Sequence, residues 1–261
     1  MSVDSPSTAL IAGLIQGLLE WLPISSQGNL VLALSSFLGV EPASALSLSV
    51  YLHLGTGFAA LAYLRGDVAG MIRREPDSDR IVRFLAIATA LTGVVGLPLF
   101  LLARDIGFQG EYLLAITGVA LVATGLVQWS AREQGTRRAG TLNVRDGFIL
   151  GVVQGLSAVP GLSRSGLTMS LLLMMKFSGE EAFRVSFLMS IPAVFAAALG
   201  LSIVEGAPPL GLGVLLAIAA SFVTSLISMD ALLSLARRIR FWSLCILLGA
   251  IALIPQMLGF L

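Results

Sequence analysis

The sequence predicts an all-α, polytopic membrane protein built as an inverted-topology repeat, in which each half has one re-entrant helical hairpin and three transmembrane helices. Three observations support this prediction. Of the 261 residues, 56% are hydrophobic and 12% are charged, whereas soluble domains contain about 25% charged residues. Apolar runs long enough to cross a bilayer recur along the chain. Two further apolar regions are interrupted by Pro, Gly and Ser, which end helices.

The six predicted spanning helices each contain about 20 predominantly apolar residues, the length that a bilayer requires. They cover residues 44–64, 83–103, 111–130, 182–203, 210–235 and 241–260. The two interrupted regions are residues 7–39, broken by PISSQGN, and 147–177, broken by PGLSRSG. Each of their halves is too short to span comfortably. Non-helical backbone at membrane depth needs protein or a watery cavity around it, so both regions are predicted to be hairpins with buried tips.

Arginines give the expected orientation. They cluster in three loops, at Arg65, Arg73, Arg74, Arg80 and Arg83, at Arg132, Arg137, Arg138 and Arg145, and at Arg237, Arg238 and Arg240. The positive-inside rule makes these loops cytoplasmic. The first hairpin then enters from outside and the second from the cytoplasm. The predicted repeats, residues 1–130 and 131–261, are therefore inserted in opposite senses and together form one membrane domain.

Residues that match at a spacing of 138 positions support the repeat. The pairs are Gly13 and Gly151, Gln16 and Gln154, Gly17 and Gly155, Leu18 and Leu156, Ser25 and Ser163, and Gly28 and Gly166. The Gly-xxx-Gly pairs favour close helix packing in lipid over ligand binding. Transporter folds with inverted repeats and broken helices place their site where the repeats meet.

Three ionisable side chains lie inside apolar segments: Glu20, Arg164 and Asp230. Each is costly there, by about 2.5–3.5 kcal/mol at mid-bilayer. Glu20 adjoins one tip and Arg164 lies in the other, so opposite charges compensate each other if the tips meet. A buried ion pair rarely gives net stability, which favours a functional role for both. Asp230 is predicted to be an interfacial charge.

The two tips are rich in hydrogen-bond donors. They contain Ser25, Ser26, Gln27, Gly28 and Asn29 on one side, and Gly161, Ser163, Arg164, Ser165, Gly166 and Thr168 on the other. Each tip is expected to open a new helix, whose N-terminus attracts anions, and the arginine fork suits phosphate or carboxylate. An anion with an apolar tail is the predicted ligand. A carboxylate beside it indicates a metal ligand, a general base or a proton carrier.

His53 is the one histidine of the sequence and lies halfway along a predicted spanning helix. A packing role and a site role are both open for it. Net charge is +1, so no nucleic-acid partner is expected. Cys245 is the one cysteine, which excludes an internal disulfide and a cysteine metal cluster. No basic residue precedes the first apolar run, so no cleaved signal peptide is expected.

The motifs resemble those of the undecaprenyl-diphosphatase family of membrane phosphatases. The similar stretches are QGLLEWLPISSQGN at 16–29, LHLGT at 52–56, PGLSRSGLT at 160–168 and VSFLMSIPA at 185–193. The resemblance implies hydrolysis of a polyprenyl diphosphate to the monophosphate and phosphate, which recycles a lipid carrier for the cell envelope. It implies a plasma-membrane location, a site accessible from the extracytoplasmic side, and a divalent metal, Mg²⁺ or Ca²⁺. The expected partners are this lipid and the membrane, and a homodimer is allowed for.

The resemblance also implies roles for individual residues. Glu20 matches a motif glutamate and is the expected metal ligand, Ser25 and Ser26 match the paired serines, and Arg164 matches the arginine that holds the diphosphate. Ser26 is expected to be a nucleophile or a phosphate ligand. Ser163, Ser165 and Thr168 match hydroxyl neighbours of the arginine. The predicted catalytic set is Glu20, Ser26, Arg164 and His53, and the predicted substrate-binding set is Gln16, Ser25, Gly28, Asn29, Gly161, Ser163, Ser165, Gly166 and Thr168.

Three positions depart from the family pattern. Gln16 replaces a glutamate, Asn29 replaces a histidine, and Leu244-Cys245 replaces a Tyr-Arg pair. Glutamine cannot act as a base, so the acid–base half of the motif is altered and His53 is a candidate for the missing imidazole. Two alternatives stay open: a polyprenyl-phosphate transporter or flippase that binds without hydrolysis, and an ion-coupled carrier of a small anion.

The predicted orientation can be tested by labelling. With Cys245 replaced, cysteines introduced near residues 107 and 207 should react with an impermeant maleimide on intact cells. Cysteines near residues 75 and 137 should react only after permeabilisation, because the arginine-rich loops are cytoplasmic. The reverse labelling pattern would invert the side from which the site is reached.

Overall fold

The computed structural model describes residues 6–107, 111–131, 135–206, 211–236 and 241–258. Within these ranges the protein is helical, with one short 3₁₀ turn at Ala139–Thr141 and no named strand. The eleven α-helices of this described part, labelled α1 to α11 in chain order, are Pro6–Leu19, Ser26–Leu38, Pro42–Tyr63, Arg65–Ile72, Ser78–Gly107, Glu111–Ser130, Val144–Leu156, Arg164–Met174, Gly179–Glu205, Leu212–Ala236 and Phe241–Leu258. The predicted all-α class is confirmed.

Both interrupted regions form pairs of short helices, as predicted. α1 and α2 have 14 and 13 residues, and α7 and α8 have 13 and 11. At 1.5 Å per residue these helices are about 16–21 Å long, shorter than a hydrocarbon core of about 30 Å. α1 contacts α2, and α7 contacts α8. The chain between them, residues 20–25 and 157–163, forms two non-helical segments, here called tip 1 and tip 2.

Five helices in the described part of the chain are long and apolar enough to cross a membrane: α3, α5, α6, α9 and α10. They coincide with five of the six predicted spans, and the chain is a multi-pass membrane protein. α5 and α9 run beyond the predicted ends, with 30 and 27 residues. The described apolar stretch of α11, Phe241–Ile254, is shorter, so the sixth span stays a prediction.

Neither α4 nor the 3₁₀ turn was predicted from the sequence. Both lie among the arginine-rich segments. The Arg184 guanidinium of α9 pairs with Asp67 of α4, and the Glu181 carboxylate accepts a hydrogen bond from the Ala139 N–H at 2.6 Å. These contacts tie both short elements to the start of α9. Arg132 and the arginines at 237–240 lie outside the described residues.

The long helices pack in a pattern that places the two hairpins against different partners. α1 lies along α10 and α7 lies along α5, α3 contacts α9 and α10, and α6 pairs with α11. The predicted repeat relates α1 to α7 and α10 to α5, so these two contacts are equivalent under it. The opposite insertion of the two repeats stays a prediction.

Glycines let the hairpin helices approach their partners. A Cβ atom on Gly13 would lie 2.2 Å from the Ala217 carbonyl oxygen of α10, and one on Gly151 would lie 2.7 Å from the Ala88 oxygen of α5. Such short distances to backbone mean that any side chain would push the helices apart. The prediction that the Gly-xxx-Gly pairs serve helix packing is confirmed.

Gly13→Ala should therefore lower the thermal stability of the purified protein, by about 1–3 kcal/mol, because the added methyl overpacks the α1–α10 contact. Gly66→Ala is the matched control. Gly66 lies on α4 with open space around its Cβ position, so alanine should leave stability unchanged or raise it by up to about 1 kcal/mol. Equal or greater stability of Gly13→Ala in detergent would show that α1 and α10 are not in obligatory contact.

Candidate active site

Tip 1 is a compact turn that ends as the N-cap of α2. Ser25 has left-handed backbone angles, φ 63° and ψ 85°, and its hydroxyl accepts a hydrogen bond from the Gly28 N–H at 3.2 Å. The Asn29 amide nitrogen donates to the carbonyls of Ile24 at 2.6 Å and Ser25 at 2.9 Å. The Ser25 and Asn29 side chains thus hold the turn, and Ser26 is the first residue of the new helix.

Tip 2 ends in the same way. Ser163 is the N-cap of α8, and its hydroxyl accepts from the Gly166 N–H at 3.1 Å. Arg164 is the first residue of α8. The Thr168 hydroxyl donates to the Arg164 carbonyl at 2.7 Å and contacts the Ser186 hydroxyl of α9 at 2.7 Å. The prediction that each tip opens a helix at its serine is confirmed.

The tips touch through glycine. A Cβ atom on Gly28 would lie 2.7 Å from the Gly161 nitrogen, and one on Gly161 would lie 2.3 Å from the Thr117 oxygen of α6. Gly161 also has a positive φ of 96°. A Cβ on Gly166 would lie 2.6 Å from the Gln128 amide nitrogen. These three glycines allow backbone and side chains to converge where any larger residue would separate the two halves.

Glu20 lies at the centre of a polar cluster that joins the tips. It is 5% exposed. One carboxylate oxygen, Oε1, accepts from the Arg164 guanidinium across the tip-to-tip contact. The other, Oε2, accepts from the Ser26 hydroxyl at 2.6 Å and from the Gln16 amide at 2.9 Å. The compensation predicted for the two buried charges is therefore present, and Ser26 Oγ is held on the same carboxylate.

His53 of α3 faces the same carboxylate. Its Nε2 lies 3.2 Å from Glu20 Oε2, and its Nδ1 lies 2.6 Å from the Ser49 carbonyl oxygen. A carbonyl oxygen can only accept, so Nδ1 holds a hydrogen. Nε2, the other ring nitrogen, is the one that faces the Glu20 carboxylate. A packing role and a site role were both open for His53, and in the structure its side chain lies in the polar cluster around Glu20.

Two connected cavities adjoin this cluster. The smaller, of about 40 Å³, is lined by polar groups of both tips, including Glu20, Ser26 and Arg164. The larger, of about 310 Å³, lies between α3, α5, α7 and α9 and has mostly apolar walls, among them Leu97 and Phe100. Gln27, His53, Ser157 and Arg164 line both. The arrangement suits a ligand with a compact polar end and an apolar remainder.

Arg164 keeps one donor free for such a ligand. Its Nη2 bonds to Glu20, whereas its buried Nη1 has no hydrogen-bond partner in the part of the chain that the structure describes. The guanidinium carbon lies 5.4 Å from the centre of the Phe187 ring, within the range of a cation–π contact. An unpaired cationic N–H at a buried site is costly, and an anion in the small cavity would satisfy it.

Comparison with known proteins identifies the family. A family model described as "Bacitracin resistance protein BacA" matches residues 9–253. The chain belongs to the BacA family. This match covers nearly all of the sequence, including both hairpins, and confirms the resemblance found in the motifs.

Curated relatives of this BacA-family chain are named "Undecaprenyl-diphosphatase". One from Methanococcoides burtonii is 39% identical over 97% of this chain and 99% of the relative. Another, from Haloarcula marismortui, is 38% identical over 96% and 97% of the two chains. A third, from Methanopyrus kandleri, is 40% identical over 95% and 94%. The similarity extends over whole chains and is not confined to the motifs.

The residues predicted for the site fall into three groups in the structure. Five form one hydrogen-bonded cluster: Gln16, Glu20, Ser26, His53 and Arg164. Three serines line the small cavity, Ser25, Ser163 and Ser165, and two of them also cap helices. Five others are outside the residues lining either cavity: Gly28, Asn29, Gly161, Gly166 and Thr168. Their contacts are with protein, and a direct role for them in substrate binding stays a prediction.

Four polar residues at the tips were not predicted from the sequence: Ser157, which lines both cavities, and Thr124, Gln128 and Cys245, which bond to the tip backbone. The Thr124 hydroxyl of α6 donates to the Gly161 carbonyl at 3.1 Å and accepts from the Ser163 N–H at 3.1 Å. The Gln128 amide of α6 donates to the Pro23 carbonyl, as does the Cys245 thiol at 3.3 Å. Thr124 and Gln128 are four residues apart in an apolar helix, and that spacing was the available signal.

A preformed metal site is not evident in this BacA-family chain. Within the described ranges, no three His, Cys, Asp or Glu side chains are grouped so as to hold an ion. Both oxygens of Glu20 already accept hydrogen bonds, one of them from a cationic arginine. Glutamine at position 16 adds no second carboxylate. The donor set of the protein alone does not fit a divalent cation.

Arg164→Lys should weaken binding of inorganic pyrophosphate and of a diphosphate lipid by at least about tenfold, because one ammonium cannot bond Glu20 and a phosphate in the two directions that the guanidinium fork provides. Arg184→Lys is the matched control, since Arg184 pairs with Asp67 outside both cavities. It should change stability without changing affinity. Near-native affinity in a folded Arg164→Lys protein would show that the Arg164 guanidinium does not bind the diphosphate.

Proposed function

We propose that this chain hydrolyses a polyprenyl diphosphate to the polyprenyl monophosphate and phosphate, and so recycles a lipid carrier. The observation that supports this most directly is that one small cavity is lined by Arg164, whose Nη1 has no partner among the described residues, and by Ser26, whose hydroxyl is held on the Glu20 carboxylate. The names of the curated relatives favour the same activity. These names give no support to the alternative that the chain is a transporter.

The two cavities support a lipid substrate. The small one accepts a phosphate group among hydroxyls and an arginine. The large one continues from it along an apolar wall. Gly93 on α5 and Ala197 on α9 line the large cavity and are exposed on the surface, so the isoprenoid can enter sideways between these helices. A soluble diphosphate would gain nothing from this apolar extension.

In the proposed first step Ser26 Oγ attacks the terminal phosphorus. The bond from that phosphorus to the bridging oxygen breaks, the polyprenyl monophosphate leaves, and the Ser26 proton passes to Glu20 Oε2. A nucleophile within hydrogen-bond reach of its base is the expected arrangement for this chemistry, and the 2.6 Å contact provides it. The free Arg164 N–H would bind the phosphoryl oxygens as charge develops on them.

In the second step water attacks the phosphorus of phosphoserine. Before this attack, Glu20 releases to solvent the proton that it took from Ser26. It then takes a proton from the attacking water, the bond from Ser26 Oγ to phosphorus breaks, phosphate leaves, and Glu20 passes this proton to Ser26 Oγ. His53 would support both steps, since its Nε2 lies 3.2 Å from the same carboxylate oxygen. With its Nδ1 held by the Ser49 carbonyl, the ring presents only Nε2. Gln16 donates a hydrogen bond and has no part in proton transfer.

We propose that the divalent cation, Mg²⁺ or Ca²⁺, binds with the substrate and not before it. Mg²⁺ sites for phosphate esters commonly use one or two carboxylates together with phosphate oxygens. Glu20 is the one carboxylate among the residues that line the small cavity. The cation would neutralise phosphate charge during binding, and none of the proton transfers above depends on it.

The proposed location is the plasma membrane, with the site reached from the extracytoplasmic side. The charge distribution supports this, since the arginine-rich loops are expected to be cytoplasmic. The hairpin α1–α2 would then enter from outside and carry Glu20 and Ser26 towards the middle of the membrane. A homodimer stays a prediction.

Glu20→Gln should reduce phosphate release from a polyprenyl diphosphate by about 10²–10⁴-fold, the usual contribution of a general base. Binding of the lipid should persist, because the change removes a negative charge facing the diphosphate. Glu180→Gln, at an exposed position of α9, is the control and should keep the full rate. Phosphate release and equilibrium binding are measured at matched thermal stability, and a fully active Glu20→Gln protein would contradict the assignment.

The proposed nucleophile predicts a covalent intermediate. Acid quenching of the wild type during turnover of substrate labelled in the terminal phosphate should leave label on Ser26, and Ser26→Ala should abolish both label and release. Ser190→Ala is the control, because Ser190 is buried and lines only the larger cavity. Label on no serine in an active enzyme would indicate direct attack by water, with Ser26 binding phosphate.

A further inference from the structure

Helix α6 contacts both tips through two polar side chains one turn apart. We infer that Thr124 and Gln128 are positioning residues that fix tip 2, with Arg164, relative to tip 1, with Glu20 and Ser26. The inference rests on the proposed function and extends it to a helix that contributes no residue to the lining of either cavity. Its basis is the set of hydrogen bonds that these two side chains make.

The Thr124 hydroxyl makes its hydrogen bonds to tip 2. Its side chain is fully buried, and its hydroxyl hydrogen goes to the Gly161 carbonyl while its oxygen accepts from the Ser163 N–H. Threonines in helices usually bond to their own helix, as Thr117 does, whose hydroxyl donates to the Leu113 carbonyl at 2.8 Å. Thr124 forgoes that bond for two bonds to the segment immediately before Arg164.

The Gln128 side chain makes a hydrogen bond to tip 1. Its amide nitrogen donates to the Pro23 carbonyl, a backbone group midway between Glu20 and Ser26. Residues four apart share one face of a helix, so Thr124 and Gln128 present their polar groups side by side. One turn of α6 therefore sets the offset between the two tips.

The helix that carries Thr124 and Gln128 packs closely on α11 through glycines. A Cβ on Gly249 would lie 2.6 Å from the Gly118 oxygen, and a Cβ on Gly125 would lie 2.6 Å from the Trp242 oxygen. α11 adds the Cys245 thiol to the same Pro23 carbonyl. Both tips are thus hydrogen-bonded to one tightly packed helix pair, and they are not held only by their contact with each other.

The experiment compares Thr124→Val, Thr124→Ser and Thr117→Val. Valine matches threonine in shape and removes the hydroxyl, whereas serine restores it. Thr124→Val should lower kcat/KM for the diphosphate lipid by about 10–100-fold, since a displacement of about 1 Å at a reacting group has such an effect. Thr124→Ser should recover most of this loss. Thr117→Val, which loses only a bond within α6, should behave as wild type.

A double-variant measurement separates positioning from general packing. If Thr124 acts by placing Arg164, Thr124→Val should cost much less in an Arg164→Lys background than in the wild type, because contacts in one network are not additive. The inference is overturned if Thr124→Val keeps wild-type kcat/KM, if Thr117→Val loses as much, or if the two losses add fully. If the wild type releases no phosphate, the proposed function fails instead. Affinity for the diphosphate lipid across the same variants then decides the inference, with the same expected order.

Discussion

The site depends on the mutual neutralisation of Glu20 and Arg164, one from each broken hairpin. Either charge alone would lie in a lipid-surrounded domain without a counterion. Removing one partner of a buried pair typically costs about 3–5 kcal/mol, because the other is left uncompensated. The contact therefore couples the two halves of the protein. It also leaves Arg164 with one open donor and Glu20 with a serine and a histidine on its second oxygen, so the same pairing that allows burial organises the proposed chemistry.

Broken helices in a membrane create a second demand, since each break frees backbone groups that lipid cannot satisfy. The structure meets it with short polar side chains. Ser25 and Ser163 cap the new helices, Asn29 ties the carbonyls of tip 1, and Thr124 takes one carbonyl and one N–H of tip 2. Much of the hydroxyl content of the motifs is thereby explained by backbone satisfaction. The chemistry needs fewer of these residues than their number suggests.

Local signals were readable from the sequence and tertiary ones were not. Proline, glycine and serine stop helices by their own geometry, so both breaks, both caps and the meeting of opposite charges could be predicted. Asn29 was predicted to be a substrate contact from its place in the motif. That role stays a prediction, and its amide nitrogen donates to two carbonyls of the turn. Thr124 and Cys245 look like ordinary residues of apolar helices. Their contacts exist only because α6 and α11 lie behind the tips, and apart from the four-residue spacing of Thr124 and Gln128 the sequence carries no signal for that placement.

The left-handed backbone of Ser25 restricts what evolution can place there. The position needs a side-chain oxygen for the Gly28 N–H and tolerance of a positive φ, which costs an ordinary L-residue roughly 1–2 kcal/mol. Glycine accepts the conformation but has no oxygen, and threonine has the oxygen but is branched at Cβ. Asparagine and aspartate meet both demands, yet aspartate would bring a second anion into the cavity that Glu20 lines. Asparagine is thus the one neutral substitute, and the two adjacent serines of the motif meet different requirements: backbone shape with a side-chain oxygen at Ser25, and the proposed reactivity at Ser26.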